Sequence, residues 1–170
     1  MIQTRELVDC YRFQILTLIS LVEWQRNSFS MRRNPHMARK IERVLLVDDE
    51  DDHHFLTRMA LKRSGYTGIL TSCYTAEDAI EHLRNPKLLP DLFLVDINMP
   101  FTSGFELLVR CEREGLLPNG HTLVVMCSSS NRPMDIDAAR RFTCVDDYVE
   151  KSFSAEQFER LQGTFARKAA

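Results

Sequence analysis

The sequence lacks most features that mark a membrane protein, a metal-cluster protein or a nucleic-acid-binding protein. Its longest mainly apolar stretch, residues 13–24, spans about twelve residues, whereas a membrane-spanning helix needs about twenty. Its five cysteines never form a Cys-x-x-Cys pair, so we interpret all five as reduced thiols of a cytoplasmic protein. The net charge of −2 gives no electrostatic argument for nucleic-acid binding.

The N-terminal part of the chain differs in charge from the rest. Residues 1–40 carry seven Lys/Arg and three Asp/Glu, a net of +4, whereas the remainder carries fifteen and twenty-one, a net of −6. We predict an N-terminal extension with a short apolar helix at residues 13–24 and a basic linker at residues 25–40. Two interpretations stay open: the helix is held on a flexible tether, or translation begins at Met31 or Met37 and omits it.

Residues 41–170 alternate between strand and helix patterns five times and are predicted to form one domain. The predicted strands are residues 44–47, 69–73, 92–95, 123–127 and 147–150. Five such units in so short a chain imply one parallel sheet with helices on both faces. Right-handed crossovers then favour a flavodoxin-like, doubly wound α/β fold with five helices and strand order 2-1-3-4-5.

The helix predicted after the first strand has an apolar face. The residues predicted to face the core are Phe55, Leu56, Met59 and Ala60.

His53 and His54 follow an acidic run at the start of this helix. Because adjacent residues do not share one face of a helix, we expect both histidines to be exposed and neither to be a ligand.

The central feature of the sequence is an apolar run that leads directly into Asp96. Leu92 to Val95 are all apolar, and Pro90 and Pro100 border the stretch. This pattern predicts a strand buried on both faces, because proline is poorly tolerated inside a central strand. Asp96 is then at the carboxyl end of the strand, where open α/β sheets bind their ligands.

Polar side chains follow the other predicted strands at the same edge. Asp48 and Asp49 end the first strand, Ser128 follows the fourth, and Lys151 follows the fifth. Neighbouring strands are about 5 Å apart, so these groups can converge on Asp96. Three carboxylates together repel one another, and Mg²⁺, which prefers oxygen ligands, relieves that repulsion. A lysine and a hydroxyl beside such an ion suit a phosphoryl group.

The order of these motifs resembles the receiver domain of two-component response regulators, over about residues 41–168. The matching motifs are VLLVDDE, LFLVDINMP followed by Gly104, VVMCSS, and the pair Tyr148-x-x-Lys151. The resemblance implies that Asp96 is the phosphoacceptor and that Mg²⁺ is the cofactor. The implied metal ligands are Asp49 directly, Asp48 largely through water, Asp96, and the backbone carbonyl of Asn98.

The resemblance also implies roles for residues on the last two strands, although some positions depart from the family pattern. Ser128 would bind a phosphoryl oxygen, Lys151 would pair with the phosphate, and Tyr148 would be the aromatic switch. Serine replaces the commoner threonine at position 128 and the usual alanine at position 129. Ser152 replaces a proline that often follows a cis peptide bond, so the loop carrying Lys151 is expected to be trans or strained.

We therefore expect a single-domain response regulator that is not an enzyme, because only nineteen residues follow Lys151. Its expected upstream partner is a sensor histidine kinase or a phosphotransfer protein. Its expected downstream partner is a protein, or a second copy of the chain, that docks on helix four, strand five and helix five.

Two other functions fit parts of the pattern. The first is an aspartate-nucleophile, Mg²⁺-dependent phosphohydrolase of the haloacid dehalogenase type. Such enzymes carry the nucleophile in a DxD motif on strand one, where this chain reads Asp48-Asp49-Glu50. The second is an interaction module that no longer accepts phosphate. The complete set of acidic, hydroxyl and lysine positions argues against it.

Overall fold

The structure is a computed structural model that describes residues 39–129 and 133–168. The apolar segment at residues 13–24 and nearly all of the predicted linker lie outside the described residues. Within the described ranges, five strands alternate with five helices. No helix in these ranges is both long and apolar enough to cross a membrane.

The strands form one parallel sheet in the order β2-β1-β3-β4-β5, which confirms the predicted doubly wound fold. The strands are β1 (Arg43–Val47), β2 (Ile69–Cys73), β3 (Leu92–Asp96), β4 (Leu123–Ser128) and β5 (Asp147–Glu150). The helices are α1 (Asp51–Arg63), α2 (Ala76–Leu83), α3 (Gly104–Arg113), α4 (Pro133–Ala139) and α5 (Ala155–Lys168).

Strand β3 is central because side chains on both of its faces are buried. Phe93 packs with Ile80 of α2 in one core cluster, whereas Leu94 packs with Leu161 of α5 in a second cluster on the other face. Burying a leucine or phenylalanine side chain contributes about 1.5–3 kcal/mol. Packing of this kind on both faces holds the carboxyl end of β3, where Asp96 lies, in a fixed position.

Helix α1 buries a face that shares only Ala60 with the predicted one. Phe55 is 61% exposed and Leu56 is 45% exposed, so their predicted burial is wrong. The buried residues of α1 are His54, Thr57, Ala60 and Leu61. These residues recur at helical spacing, but their stripe begins with a histidine and a threonine, so a search for apolar residues alone assigned the wrong face.

The buried position of His54 corrects the expectation that it is exposed. Its Nε2 lies 2.9 Å from the backbone oxygen of Asp48, and its ring centroid lies 4.4 Å from that of Tyr74. The hydrogen bond offsets part of the cost of burying a polar ring, whose Nδ1 has no partner among the described residues. His54 therefore ties the first turn of α1 to the end of β1.

The cysteines within the described residues are free, which agrees with the interpretation as reduced thiols, and all of them are buried; Cys10 lies outside those residues. Burial raises the pKa of Cys73 to about 11 and the pKa of Cys111 to about 12. These thiols are therefore protonated at neutral pH and behave as small core residues.

Candidate functional site

The register of the strands brings the predicted site residues to one edge of the sheet. Val47 pairs with Val95, so the next residues, Asp48 and Asp96, follow neighbouring strand positions. Strand β4 ends at Ser128, and the backbone N–H of Lys151 donates a 2.7 Å hydrogen bond to the backbone oxygen of Ser128. The edge therefore collects groups from four elements that are distant in sequence.

Three carboxylates form an acidic cluster at this edge. One ligand oxygen from each of Asp48, Asp49 and Asp96 lies within 4.8 Å of the other two. Asp96 is fully buried and Asp48 nearly so. Oδ1 of Asp49 is also buried and has no hydrogen-bond partner among the described residues. A buried carboxylate oxygen without a donor fits a site for a hard divalent cation.

Lys151 lies between two of these carboxylates. Its Nζ is 3.0 Å from Oδ2 of Asp48 and 2.9 Å from Oδ2 of Asp96. Burial lowers the pKa of Lys151, but the hydrogen bonds to Asp96 and Asp48 outweigh burial and raise this pKa above its ordinary value. The ammonium group is therefore charged at neutral pH, and it partly neutralises the acidic cluster.

The environment of Asp96 disfavours its charged form. Burial raises the pKa of Asp96, the hydrogen bond from Lys151 opposes this shift, and the negative charge of Asp48 adds to it. The net effect is a pKa above the usual range of aspartate. A further positive charge in the cluster would stabilise the ionised carboxylate that a nucleophile requires.

Asn98 and Ser128 lie near Asp96 in the chain and in the sheet, whereas Tyr148 lies on β5, two residues before the end of that strand. The backbone N–H of Asn98 donates to Oδ1 of Asp96 at 3.2 Å. Ser128 is fully buried at the end of β4, one residue beyond the strand partner of Asp96. Tyr148 pairs with Met126 within the sheet, and its ring packs, half-buried, against the core.

The loop between β3 and α3 requires glycine at position 104. A Cβ atom at Gly104 would lie 2.1 Å from the backbone oxygen of Asp96, a distance that no side chain tolerates. Ser103 and Glu106 close the same loop with a capping box, in which the hydroxyl of Ser103 accepts from the N–H of Glu106. Helix α3 therefore begins directly against the residue predicted to accept phosphate.

His53 is a site residue that the sequence pattern did not reveal. Its Nδ1 lies 2.9 Å from Nζ of Lys151 and 3.2 Å from Oδ1 of Asp48. The expectation that His53 is exposed is wrong, since only 22% of its side chain is exposed, whereas the expectation that it is not a ligand stays a prediction. The available signal was the early start of α1 at Asp51, which places its first turn over the end of β1.

The loop after β5 has an uncommon backbone. The peptide bond between Lys151 and Ser152 is trans. Within the described residues, the cis peptide bond is the one between Leu117 and Pro118. Ser152 has a φ of 81°, in the left-handed region that non-glycine residues rarely adopt. Both parts of the expectation, a trans bond and a strained loop, are confirmed for this position.

This fold is a doubly wound α/β domain with acidic residues, a hydroxyl and a lysine gathered at the carboxyl edge of its sheet. The family model of the response regulator receiver domain matches residues 44–161, so the chain belongs to the receiver family. Acceptance of a phosphoryl group on an aspartate is the shared function of that family.

Relatives and solved structures agree with this assignment. Two-component response regulator ORR41 of Oryza sativa subsp. japonica is 35% identical over 76% of this chain and 98% of the relative. Response regulator GtcR of Aneurinibacillus migulanus is 30% identical over 73% of this chain, which spans only 48% of that relative. A two-component response regulator structure from Cytophaga hutchinsonii aligns with a TM-score of 0.70 and 29% identity, covering 76% of this chain and 99% of that structure.

Proposed function

We propose that Asp96 accepts a phosphoryl group from the phosphohistidine of a sensor histidine kinase or a phosphotransfer protein. The observation that carries the proposal is the buried ion pair between Asp96 and Lys151 at the edge of the sheet. A carboxylate oxygen of Asp96 attacks phosphorus, the phosphorus–nitrogen bond to the imidazole breaks, and the imidazole leaves with its electron pair. The product is an acyl phosphate on Asp96.

The neighbouring side chains stabilise the charge on the transferred group. Lys151 already contacts Asp96, so its ammonium is placed to pair with a phosphoryl oxygen. The hydroxyl of Ser128 would donate to a second phosphoryl oxygen when it moves toward the new group. Ser129 beside it is small, so we expect a phosphoryl donor to retain access to Asp96.

The acidic cluster supports Mg²⁺ as the cofactor. Asp49 would bind it directly through the oxygen that has no other partner, with Asp96, Asp48 and the carbonyl of Asn98 completing the protein ligands. When bound, Mg²⁺ would supply positive charge that offsets the carboxylates and the phosphoryl oxygens.

Replacing Asp49 tests the metal proposal. We expect Asp49→Ala to weaken Mg²⁺ binding by roughly tenfold or more, since loss of even an outer-shell partner costs about 10–100-fold in affinity. Titration calorimetry measures this change. Asp52→Ala is the matched control, because Asp52 belongs to the same acidic run but is exposed and outside the cluster. Equal affinities in the wild type and Asp49→Ala would place the metal elsewhere.

A response regulator is phosphorylated once per chain, whereas a phosphohydrolase hydrolyses a phosphate ester continuously. With acetyl phosphate and Mg²⁺, we expect intact-mass spectra to show a single phosphoryl group per chain. With p-nitrophenyl phosphate, we expect no sustained release of nitrophenol. Continuous turnover of that ester, lost in Asp96→Asn, would instead support the phosphohydrolase.

We also propose that the protein acts as a single-domain, cytoplasmic regulator. The rice relative supports this, because the match covers 98% of it. The buried free thiols are typical of a reducing compartment. Cell fractionation with an immunoblot tests both points. A band much larger than 19.8 kDa, or one in a secreted fraction, would contradict the proposal.

The proposed output surface is the face formed by α4, β5 and α5, where a protein partner or a second copy would dock. A cleft of about 370 Å³ separates α4 from β5 and is lined by Ile136, Ala139 and Tyr148, which leaves room for the tyrosine to turn. Phosphorylation would move Ser128, then the loop that follows it, then Tyr148. This is a shift between two packings of one fold.

Hydrogen exchange with and without beryllofluoride, a phosphate mimic, tests this output surface. We expect protection to change between residues 128 and 152 and to change little in α2. Segments that switch are drawn from the less stable parts of a fold, and α4 has only one buried residue, Ala139. Changes confined to α1 and α2 would place the output surface on the opposite side.

A further inference from the structure

The ammonium group of Lys151 has three N–H donors, and three acceptor atoms surround it. Two are carboxylate oxygens, Oδ2 of Asp48 at 3.0 Å and Oδ2 of Asp96 at 2.9 Å. The third is Nδ1 of His53, also at 2.9 Å. All three acceptor atoms therefore lie at hydrogen-bond distance from Nζ, and the contact with His53 is the one that also has hydrogen-bond geometry. The carboxylates belong to the acidic cluster, whereas the histidine comes from the first turn of α1.

The backbone N–H of Lys151 is hydrogen-bonded to Ser128, but the chain that follows does little to orient the lysine side chain. Ser152 follows it through a trans peptide bond and adopts a φ of 81°. Serine has no ring to restrict φ, and the left-handed region is costly for it, so the loop has no intrinsic preference for this conformation. The contacts of the ammonium group must therefore hold the lysine across the site.

His53 is well placed to provide one of those contacts. The adjacent His54 is bonded to the backbone oxygen of Asp48, which anchors the first turn of α1 over the end of β1. The helix thus sets the position of the His53 ring independently of the loop that carries Lys151. A side chain held by one element can therefore orient a side chain on another.

The distances favour one tautomer of His53. Oxygens of Asp48 and Glu50 each lie 3.2 Å from Nδ1, and Nζ of Lys151 is closer, at 2.9 Å. A proton on Nδ1 would make this atom a hydrogen-bond donor, and it would then face the N–H donors of the Lys151 ammonium group across the 2.9 Å contact. A proton on Nε2 leaves the Nδ1 lone pair free to accept from the ammonium.

We propose that His53 is a positioning residue that accepts a hydrogen bond from Lys151 at Nδ1 and holds the ammonium group at the phosphoryl site. This inference rests on the proposed function, since it assigns a role within phosphoryl transfer to Asp96. His53 touches neither the phosphorus nor Asp96, and it acts through the lysine.

The tautomer can be observed directly in the resting protein. Long-range ¹H–¹⁵N spectra of the ¹⁵N-labelled protein at mildly alkaline pH report which ring nitrogen carries the proton. We expect His53 to show a protonated Nε2 and an unprotonated Nδ1. A proton found on Nδ1 would overturn the proposal without bearing on whether Asp96 accepts phosphate.

Three variants test the consequence for phosphoryl transfer. His53→Phe keeps a planar ring but removes Nδ1, and we expect it to slow phosphorylation by acetyl phosphate about tenfold, or ~1.4 kcal/mol. His53→Asn places an amide oxygen near the position of Nδ1, and we expect it to recover most of that rate. His82→Phe makes the same chemical change on α2, away from the site, and should leave the rate unchanged.

The readouts separate the inference from the proposed function. If the wild type takes up no phosphate, the proposed function fails, while the tautomer still reports on the Lys151 contact. If the wild type is phosphorylated and His53→Phe reacts at the same rate, only the positioning role is overturned. If His53→Phe and His53→Asn are equally slow, the ring and not its acceptor atom matters, which also contradicts the proposal.

Discussion

Asp96→Asn should take up no phosphate from acetyl phosphate in Mg²⁺, whereas the wild type should gain one phosphoryl group per chain. The neutral amide is a much weaker nucleophile than the carboxylate that it replaces in the fully buried position beside Lys151. The expected loss is therefore complete and not a fractional change in rate. Intact-mass spectrometry under conditions that preserve acyl phosphates measures it.

A matched substitution distinguishes the loss of the acceptor from a general effect of the change. Asp137→Asn makes the same chemical replacement at an exposed aspartate of α4, remote from the acidic cluster, and should retain full uptake. Equal uptake by Asp96→Asn and the wild type would show that another residue accepts the phosphate. Loss in both variants would point to a defect unrelated to the acceptor.

Gly104→Ala should cause a large loss of stability, because the added methyl group has no space. The new Cβ would lie 2.1 Å from the backbone oxygen of Asp96 and 3.0 Å from Cγ1 of Val95. Backbone cannot move aside as a flexible side chain does, so α3 or the end of β3 must shift. We expect the free energy of unfolding in urea to fall by about 3 kcal/mol or more, the upper end of the range for overpacking.

Gly163→Ala is the control for the same substitution elsewhere. Gly163 lies inside α5, and the nearest atom to an added Cβ is a terminal nitrogen of Arg167 at an ordinary 3.7 Å. Alanine is the better helix former, so we expect this variant to gain about 0.5–1 kcal/mol. If both variants lose stability equally, the contact with Asp96 is not the cause.

The elements that the sequence predicted correctly are those whose signal is local. The apolar run before Asp96 has no polar residue to place outward, so only a strand covered on both faces accommodates it. Four further strands with amphipathic segments between them leave few topologies, and the observed order is among them. The residues at the strand ends then converge because parallel strands end at the same edge.

The packing of α1 could not be read from the sequence in the same way. Two of its large apolar residues, Phe55 and Leu56, are exposed, and the buried stripe starts with His54. Periodicity gives the spacing of a helical face, but it does not give the rotation of the helix about its axis when both faces carry apolar residues. That rotation follows from where the chain leaves β1.

The sequence by itself determined the strand order, the placement of the acidic residues at one edge and the resemblance to receiver domains. These depend on residue type and spacing along the chain. Only the tertiary structure decided which face of α1 is buried and that His53 contacts Lys151, a residue 98 positions away. The physical reason is that such a contact depends on the rotation of a helix and the path of a loop, and each is set by packing against parts of the chain that are distant in sequence.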